Sequence, residues 1–94
     1  MIGFDASEAI VREAAADDFD AVMALYRQLQ PEDPIIRDGG DRAAFDVIRA
    51  ADHLTLLVLE LHGAVRSTTY LNVIVNLTRS ARPYAVIENV VTDA

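Results

Sequence analysis

The sequence ends in Tyr84-Ala-Val-Ile-Glu-Asn-Val-Val-Thr-Asp-Ala94, and the rest of the chain can be placed relative to this segment. Because β-branched residues dominate it, the segment is predicted to be a β-strand. Glu88 and Asn89 occupy its middle, where a buried strand is normally apolar. A polar centre of this kind indicates either one half of a functional site or a plain edge strand.

Glu88 is the residue in this segment best suited to chemistry. Strict alternation places it on one face of the strand, between Val86 and Val90. A carboxylate between two valines would be partly desolvated, which would raise its pKa toward the range of a general base. The alternative is a solvent-exposed glutamate on an edge strand, or one that is paired with Arg66 or Arg82.

Two helices are predicted in the first half of the chain. One helix should follow a possible cap at Asp17 or Asp18 and end near Gln30, because Pro31 disfavours helical geometry in the residue before it. Its apolar stripe has spacings of three and four and consists of Phe19, Val22, Met23 and Tyr26, widened by Leu25 and Leu29. A loop rich in proline and glycine comes next, and Asp41 is a plausible cap for a second helix.

Three strands are predicted besides the last one. The first covers residues 9–14, and Leu54–Leu61 and a strand over residues 64–75 are joined by a tight turn at His62-Gly63. The order β-α-α-β-β-β predicts an α+β fold in which the later strands form an antiparallel meander and the first strand joins either edge. Since Leu54–Leu61 is apolar on both faces, layers are expected on both sides of the sheet.

Composition limits the class of protein. The 94 residues form a single domain, with residues 1–8 as a loose arm, and the net charge of −7 makes nucleic acid a poor partner. There is no cysteine, and the two histidines, His53 and His62, lack metal-ligand spacing, so no metal site is predicted. No apolar run is long enough to span a membrane, and no export signal is recognised, so a soluble cytoplasmic protein is expected.

Several segments together resemble the GNAT superfamily of N-acetyltransferases. Residues 10–14, with Asp18 shortly after them, are similar to its opening strand and helix, and Leu57-Val-Leu-Glu-Leu-His-Gly63 is similar to its hairpin. The segment Ile87-Glu-Asn-Val-Val-Thr-Asp93 is similar to the fourth strand of a common bacterial branch. The resemblance spans about residues 10–94.

The resemblance implies that acetyl-CoA lies beside the fourth strand and donates its acetyl group to a primary amine. It implies that cofactor contacts come from Asn89, Val90 and Val91, and that Glu88 serves as the base, directly or through water. The amine acceptor, a small molecule or a peptide, would bind near Gln28, Leu29 and Tyr84, within a region that includes residues 28–40.

The resemblance also implies an incomplete site. In the family, a glycine-rich loop that binds the pyrophosphate of CoA follows the fourth strand, and the sequence stops at Ala94, where that loop would begin. We therefore expect these residues to be the N-terminal portion of an N-acetyltransferase, with poor acetyl-CoA binding on their own. The alternative is a non-catalytic sheet module that forms a homo-oligomer through residues 84–92.

Overall fold

The computed structural model describes residues 8–94, so the predicted N-terminal arm lies outside the described residues apart from Glu8. Four strands form one antiparallel sheet in the order β1-β2-β3-β4. The strands are β1 (Ala9–Glu13), β2 (Leu54–Leu61), β3 (Ala64–Ile74) and β4 (Tyr84–Thr92); the helices are α1 (Phe19–Leu29), α2 (Gly40–Ala50) and the single turn α3 (Thr78–Ala81). The predicted α+β class and its antiparallel meander are confirmed, and β1 takes the edge beside β2.

A buried carboxylate holds the junction between β1 and α1. Asp18 Oδ2 lies 2.6 Å from Arg12 Nη1, Asp18 Oδ1 accepts a second hydrogen bond from Arg12 at 3.0 Å, and the backbone N–H of Ala15 donates to Asp18 Oδ2 at 2.6 Å. Glu60 on β2 lies 3.5 Å from the same guanidinium. The predicted cap therefore has another role, because the Asp18 side chain binds the turn before α1 and makes no capping bond to α1 itself.

The core lies between the sheet and the two longer helices. Val22 from α1 and Phe45 from α2 pack against Leu56 and Val58 of β2, and these four side chains are buried. The ring of Phe19 meets the edge of Phe45 at a centroid distance of 5.3 Å, a T-shaped arrangement that adds to the hydrophobic contact. Both helices thus lie on the same face of the sheet.

The start of α2 differs from the prediction. Gly39, with a φ of 82°, is the cap residue, and Asp41 lies inside the first turn. The Asp38 carboxylate accepts a hydrogen bond from the backbone N–H of Gly40 at 2.9 Å, so it satisfies one of the free amide groups at the helix start. Asp41 still complements the positive end of the helix dipole.

The opposite face of the sheet carries apolar side chains that no helix covers within residues 8–94. Leu57 and Leu59 on this face are only half-buried, and Val11 and Ile87 are 66% and 63% exposed. The expected layer on this second face is therefore not present among the described residues. β2 has apolar side chains on both faces as expected, but α1 and α2 cover only one of those faces.

Candidate active site

β4 contains a bulge at the position of its polar residues. Tyr70 pairs with Glu88 and Thr68 pairs with Val91, so the single residue between the β3 positions faces two residues, Asn89 and Val90, on β4. Asn89 has a φ of 52°, in the left-handed region that asparagine tolerates better than most residues. A bulge interrupts the hydrogen-bond ladder and leaves an extra residue unpaired.

The bulge changes which side chains share a face. Residues directly opposite one another in an antiparallel pair point to the same side, and Tyr70 packs against the core while Thr68 is buried. Glu88 and Val91 therefore both lie on the side covered by the helices. Strict alternation, which grouped Glu88 with Val90, is wrong beyond Asn89 for this reason.

Glu88 is exposed, although it lies on the helix side of the sheet. The desolvation expected from Val86 and Val90 is not present, because the bulge turns Val90 away and no helix covers position 88. Within residues 8–94 the carboxylate forms no ion pair; Arg66, one of its expected partners, binds Asp93 at 3.0 Å instead. Glu88 is thus accessible to a substrate or to water.

A cavity of about 210 Å³ opens beside the bulge. Its walls come from the last turns of α1, from the loop between α1 and α2, and from Asn89 of β4. Of the residues predicted to bind cofactor or acceptor, Asn89 and Leu29 line this cavity. The bulge of β4 and the end of α1 are therefore brought together around one space.

Tyr26 and Asn89 are two of the polar residues in the cavity wall. Burial raises the pKa of the Tyr26 hydroxyl, and the side chain of Asn89 acts on it in the opposite direction. The phenol is therefore protonated at neutral pH and can donate a hydrogen bond as well as accept one. Tyr26 was read from the sequence only as part of the apolar stripe of α1.

Gln28 points elsewhere, to the end of β4. Its side-chain NH₂ group donates to Asp93 Oδ1 at 2.8 Å, and its carbonyl oxygen accepts a hydrogen bond from the backbone N–H of Ala94 at 3.0 Å. Arg66 donates to the other carboxylate oxygen of Asp93 at 3.0 Å. Hydrogen bonds from Gln28 and Arg66 lower the pKa of Asp93, and together they hold the end of β4 against α1 and β3.

The other predicted residues lie on or beside β4 at different depths. Val91 is buried and its backbone oxygen accepts a hydrogen bond from Ser67 at 3.1 Å, whereas Val90 is 56% exposed. Tyr84 is 51% exposed at the opposite end of the strand and does not line the cavity. The predicted residues on β4 are therefore spread along the whole strand, and of them only Asn89 borders the cavity.

Sequence reasoning located part of the cavity wall and missed the rest. Ile35 and Ile36 fall within residues 28–40, the region that the resemblance assigned to the acceptor, although neither was named singly. Met23 and Tyr26 appeared only as part of the apolar stripe of α1. Two adjacent isoleucines between a proline and a glycine pair are the signal that was available, since such loops are usually polar.

Neither a metal-binding cluster nor a membrane-spanning helix is present among residues 8–94. No group of three or more histidine, cysteine, aspartate or glutamate side chains in this part of the chain is arranged to hold a metal ion. None of the helices in the described range is long and apolar enough to cross a membrane.

Comparison with solved structures identifies the fold. The chain is 39% identical to a proposed acetyltransferase from Agrobacterium tumefaciens, with a TM-score of 0.82, covering 89% of this chain and 58% of that one. A glucosamine-6-phosphate N-acetyltransferase from Arabidopsis thaliana matches at 22% identity and a TM-score of 0.76, covering 92% and 60%. An acetyltransferase from Clostridium acetobutylicum, solved with acetyl-CoA, matches at 21% identity and a TM-score of 0.68, covering 90% and 60%. No protein-family model and no curated protein matches the chain.

The predicted resemblance is confirmed: the chain has the fold of the N-terminal portion of GNAT acetyltransferases. It spans about three-fifths of the length of these solved relatives, from 58% to 60%. These three relatives are named as acetyltransferases, and one of them was solved with acetyl-CoA.

Proposed function

We propose that this chain supplies the β4 and α1 part of an N-acetyltransferase that transfers acetyl from acetyl-CoA to a primary amine. The observation that carries the proposal is the bulge at Asn89 and Val90, which opens the ladder of β4 beside the cavity. The similarity to acetyltransferases supports the reaction class, and the acetyltransferase solved with acetyl-CoA supports the donor.

The bulge suits a thioester because it interrupts backbone pairing. Amide groups without a ladder partner are donors held in place by the strand, and donors of this kind stabilise the negative charge that develops on an acetyl oxygen. In this proposal Asn89, Val90 and Val91 supply the backbone that contacts acetyl-CoA. Attack by the neutral amine forms the C–N bond, and cleavage of the C–S bond releases the CoA thiolate.

Glu88 is the proposed base. The amine must lose a proton, and an exposed carboxylate next to the bulge can accept it directly or through one water. The thiolate takes a proton from solvent. A cytoplasmic location stays a prediction from the sequence.

The test is amine-dependent release of CoA thiol by the full-length protein that carries these residues. We expect Glu88→Gln to lower kcat by about 10²–10⁴-fold if the carboxylate is the base. Asp20→Asn, an exposed carboxylate on α1 outside the cavity, is the matched control and should leave kcat unchanged. Absence of thiol release with a broad set of amines, together with no acetyl-CoA-dependent shift of the Asn89 and Val90 amide resonances, would overturn the proposal.

A second function has its own supporting observation. β4 is the last strand in the sheet order, and along it Tyr84, Ile87 and Val90 are all more than half exposed. An edge strand with apolar side chains is a template for pairing with a second copy. Sedimentation over a range of concentrations should then show a dimer that Ile87→Lys weakens, while a monomer at high concentration would contradict it.

A further inference from the structure

The cavity beside the bulge is lined by both apolar and polar side chains, and this mixture bears on the acceptor. The inference rests on the proposed acetyltransferase function, because it concerns the amine that the same site would take. The apolar part of the lining includes Ile35 and Ile36, and the polar part includes Tyr26 and Asn89.

The apolar side chains of the lining are incompletely covered. Ile35 is 64% exposed and Ile36 is 49% exposed, and they are adjacent in a loop whose residues, 31–39, are all exposed. Met23 and Leu29 of α1 line the same space. A ligand with an apolar body would remove these side chains from water, which is favourable in proportion to the apolar area buried.

The charges of the lining favour a nitrogen donor over an anion. The last carbonyl groups of α1 carry the negative end of the helix dipole, and Asp33 and Asp41 also line the cavity. Within residues 8–94 the lining has Arg27 as its one cation, so it carries two negative charges and one positive charge. The protonated Tyr26 hydroxyl and the Asn89 amide can each accept a hydrogen bond from an amine.

The volume limits the size of the ligand. A cavity of about 210 Å³ is smaller than the roughly 300–1,000 Å³ typical of sites for drug-sized ligands. It matches a compact amine better than a larger acceptor.

We propose that this cavity binds a small primary amine with an apolar body, with the body against Ile35 and Ile36 and the nitrogen held by Tyr26 and Asn89. The acceptor class is therefore that of alkyl or arylalkyl monoamines. Tyr26 is a positioning residue in this arrangement, since its hydroxyl orients the amine toward the bulge.

The experiment is an NMR titration of the full-length protein with 2-phenylethylamine and, separately, with ethanolamine, both without acetyl-CoA. We expect 2-phenylethylamine to shift the resonances of Ile35, Ile36 and Asn89 and to bind at least about ten-fold more tightly than ethanolamine. Ile36→Ser should weaken 2-phenylethylamine several-fold and leave ethanolamine unchanged. Val47→Ser is the matched control, because Val47 is 65% exposed on α2 and lies outside the cavity.

Tyr26→Phe tests the contribution of the Tyr26 hydroxyl to amine binding. It should weaken both amines by about two- to ten-fold, the range expected for one hydrogen bond. A merely structural role for the hydroxyl would alter stability and leave both affinities unchanged.

Equal or tighter binding of ethanolamine, or shifts confined to residues outside the cavity, would overturn the inference. These outcomes are separate from failure of the proposed function. Selective binding of 2-phenylethylamine without thiol release would support the proposed amine site and contradict the proposed acetyltransferase function. Thiol release with amines that do not shift the cavity residues would support the acetyltransferase function and contradict the proposed amine site.

Discussion

At the β1 edge of the sheet, the buried carboxylate of Asp18 joins β1, the following turn and α1. At the β4 edge, by contrast, one buried side chain, Val91, anchors a strand that is otherwise largely exposed. Asp18 is 7% exposed and has three hydrogen bonds from two residues. Glu88 is exposed and has no ion-pair partner within residues 8–94.

The comparison indicates that the residues that stabilise the fold and the residues proposed for chemistry lie in different regions of the sheet. Charge that is buried and fully paired holds the β1–α1 junction in one geometry, and this junction sets the direction of α1. The residues proposed to bind acetyl-CoA lie instead on β4, where side chains and backbone remain accessible. α1 connects the two regions, because it begins at the first and lines the cavity at the second.

The largest expected effect is at the β1 edge. Asp18→Ala should lower the free energy of unfolding by about 3 kcal/mol, because the change leaves the Ala15 amide without its partner and the Arg12 guanidinium with only the longer 3.5 Å contact to Glu60. Urea denaturation followed by circular dichroism measures the loss. Asp20→Ala, an exposed carboxylate in the first turn of α1, is the control. Equal losses for the two variants would mean that the buried pair does not organise this edge.

Val91 tests whether the register change across the bulge is right. Val91→Ala should cost about 2 kcal/mol because it leaves a cavity in the core, while Val90→Ala should change stability by less than about 0.5 kcal/mol because that side chain is exposed. The two neighbouring valines are a matched pair for the same denaturation measurement. A larger loss of stability for Val90→Ala than for Val91→Ala would indicate strict alternation along β4 and contradict the bulge.

Asn89 tests the backbone conformation at the bulge. Asn89→Val should lower the free energy of unfolding by about 1 kcal/mol, since a β-branched residue is strained at a φ of 52°, and it should abolish acetyl-CoA-dependent shifts at residues 89–90. Asn89→Gly accepts this φ without strain and should retain both stability and the backbone shifts. If valine and glycine behave alike, the left-handed conformation is not what the site requires.

The smallest and most gradual effect is on acid stability. Hydrogen bonds from Arg12 hold the pKa of Asp18 below its ordinary value of 3.8, so the ionised group stabilises the fold above that pH, and this contribution is lost as the pH falls through the lowered pKa. Asp18→Asn, which keeps an oxygen for the Ala15 amide, should be less stable at pH 6 and lose less stability between pH 4 and pH 2, in about the range where carboxylates titrate. Parallel acid titrations of the variant and the natural protein would contradict this assignment.

Much of the fold was predictable because it depends on local patterns. Pro31 ends α1 at Leu29 with Gln30 as its cap, and His62 and Gly63 both have the positive φ values of a tight hairpin turn. The apolar stripe of α1 correctly identified Val22 and Leu25 as buried. The resemblance to GNAT proteins also rested on short segments and their order, and it was confirmed.

The candidate site was only partly predictable because its parts are distant in the sequence. Leu29 and Asn89 were named, and the two isoleucines lay within the predicted acceptor region of residues 28–40, but Tyr26, which shares the cavity with them, was not placed there. Gln28 was placed in the acceptor region by resemblance, whereas its side chain binds Asp93, 65 residues away. Whether it also contacts a substrate stays a prediction. Hydropathy along a single segment carries no information about such pairings.

The sequence by itself determined the order of strands and helices, the apolar faces and the polar centre of β4, because these follow from spacing between near neighbours. Only the tertiary structure decided the role of that polar centre. The bulge at Asn89 exists because β4 pairs with β3 on both sides of one extra residue, and this register places Glu88 and Val91 on one face. A strand whose alternation looks continuous in the sequence is therefore divided into two parts, and the accessible backbone lies where they meet.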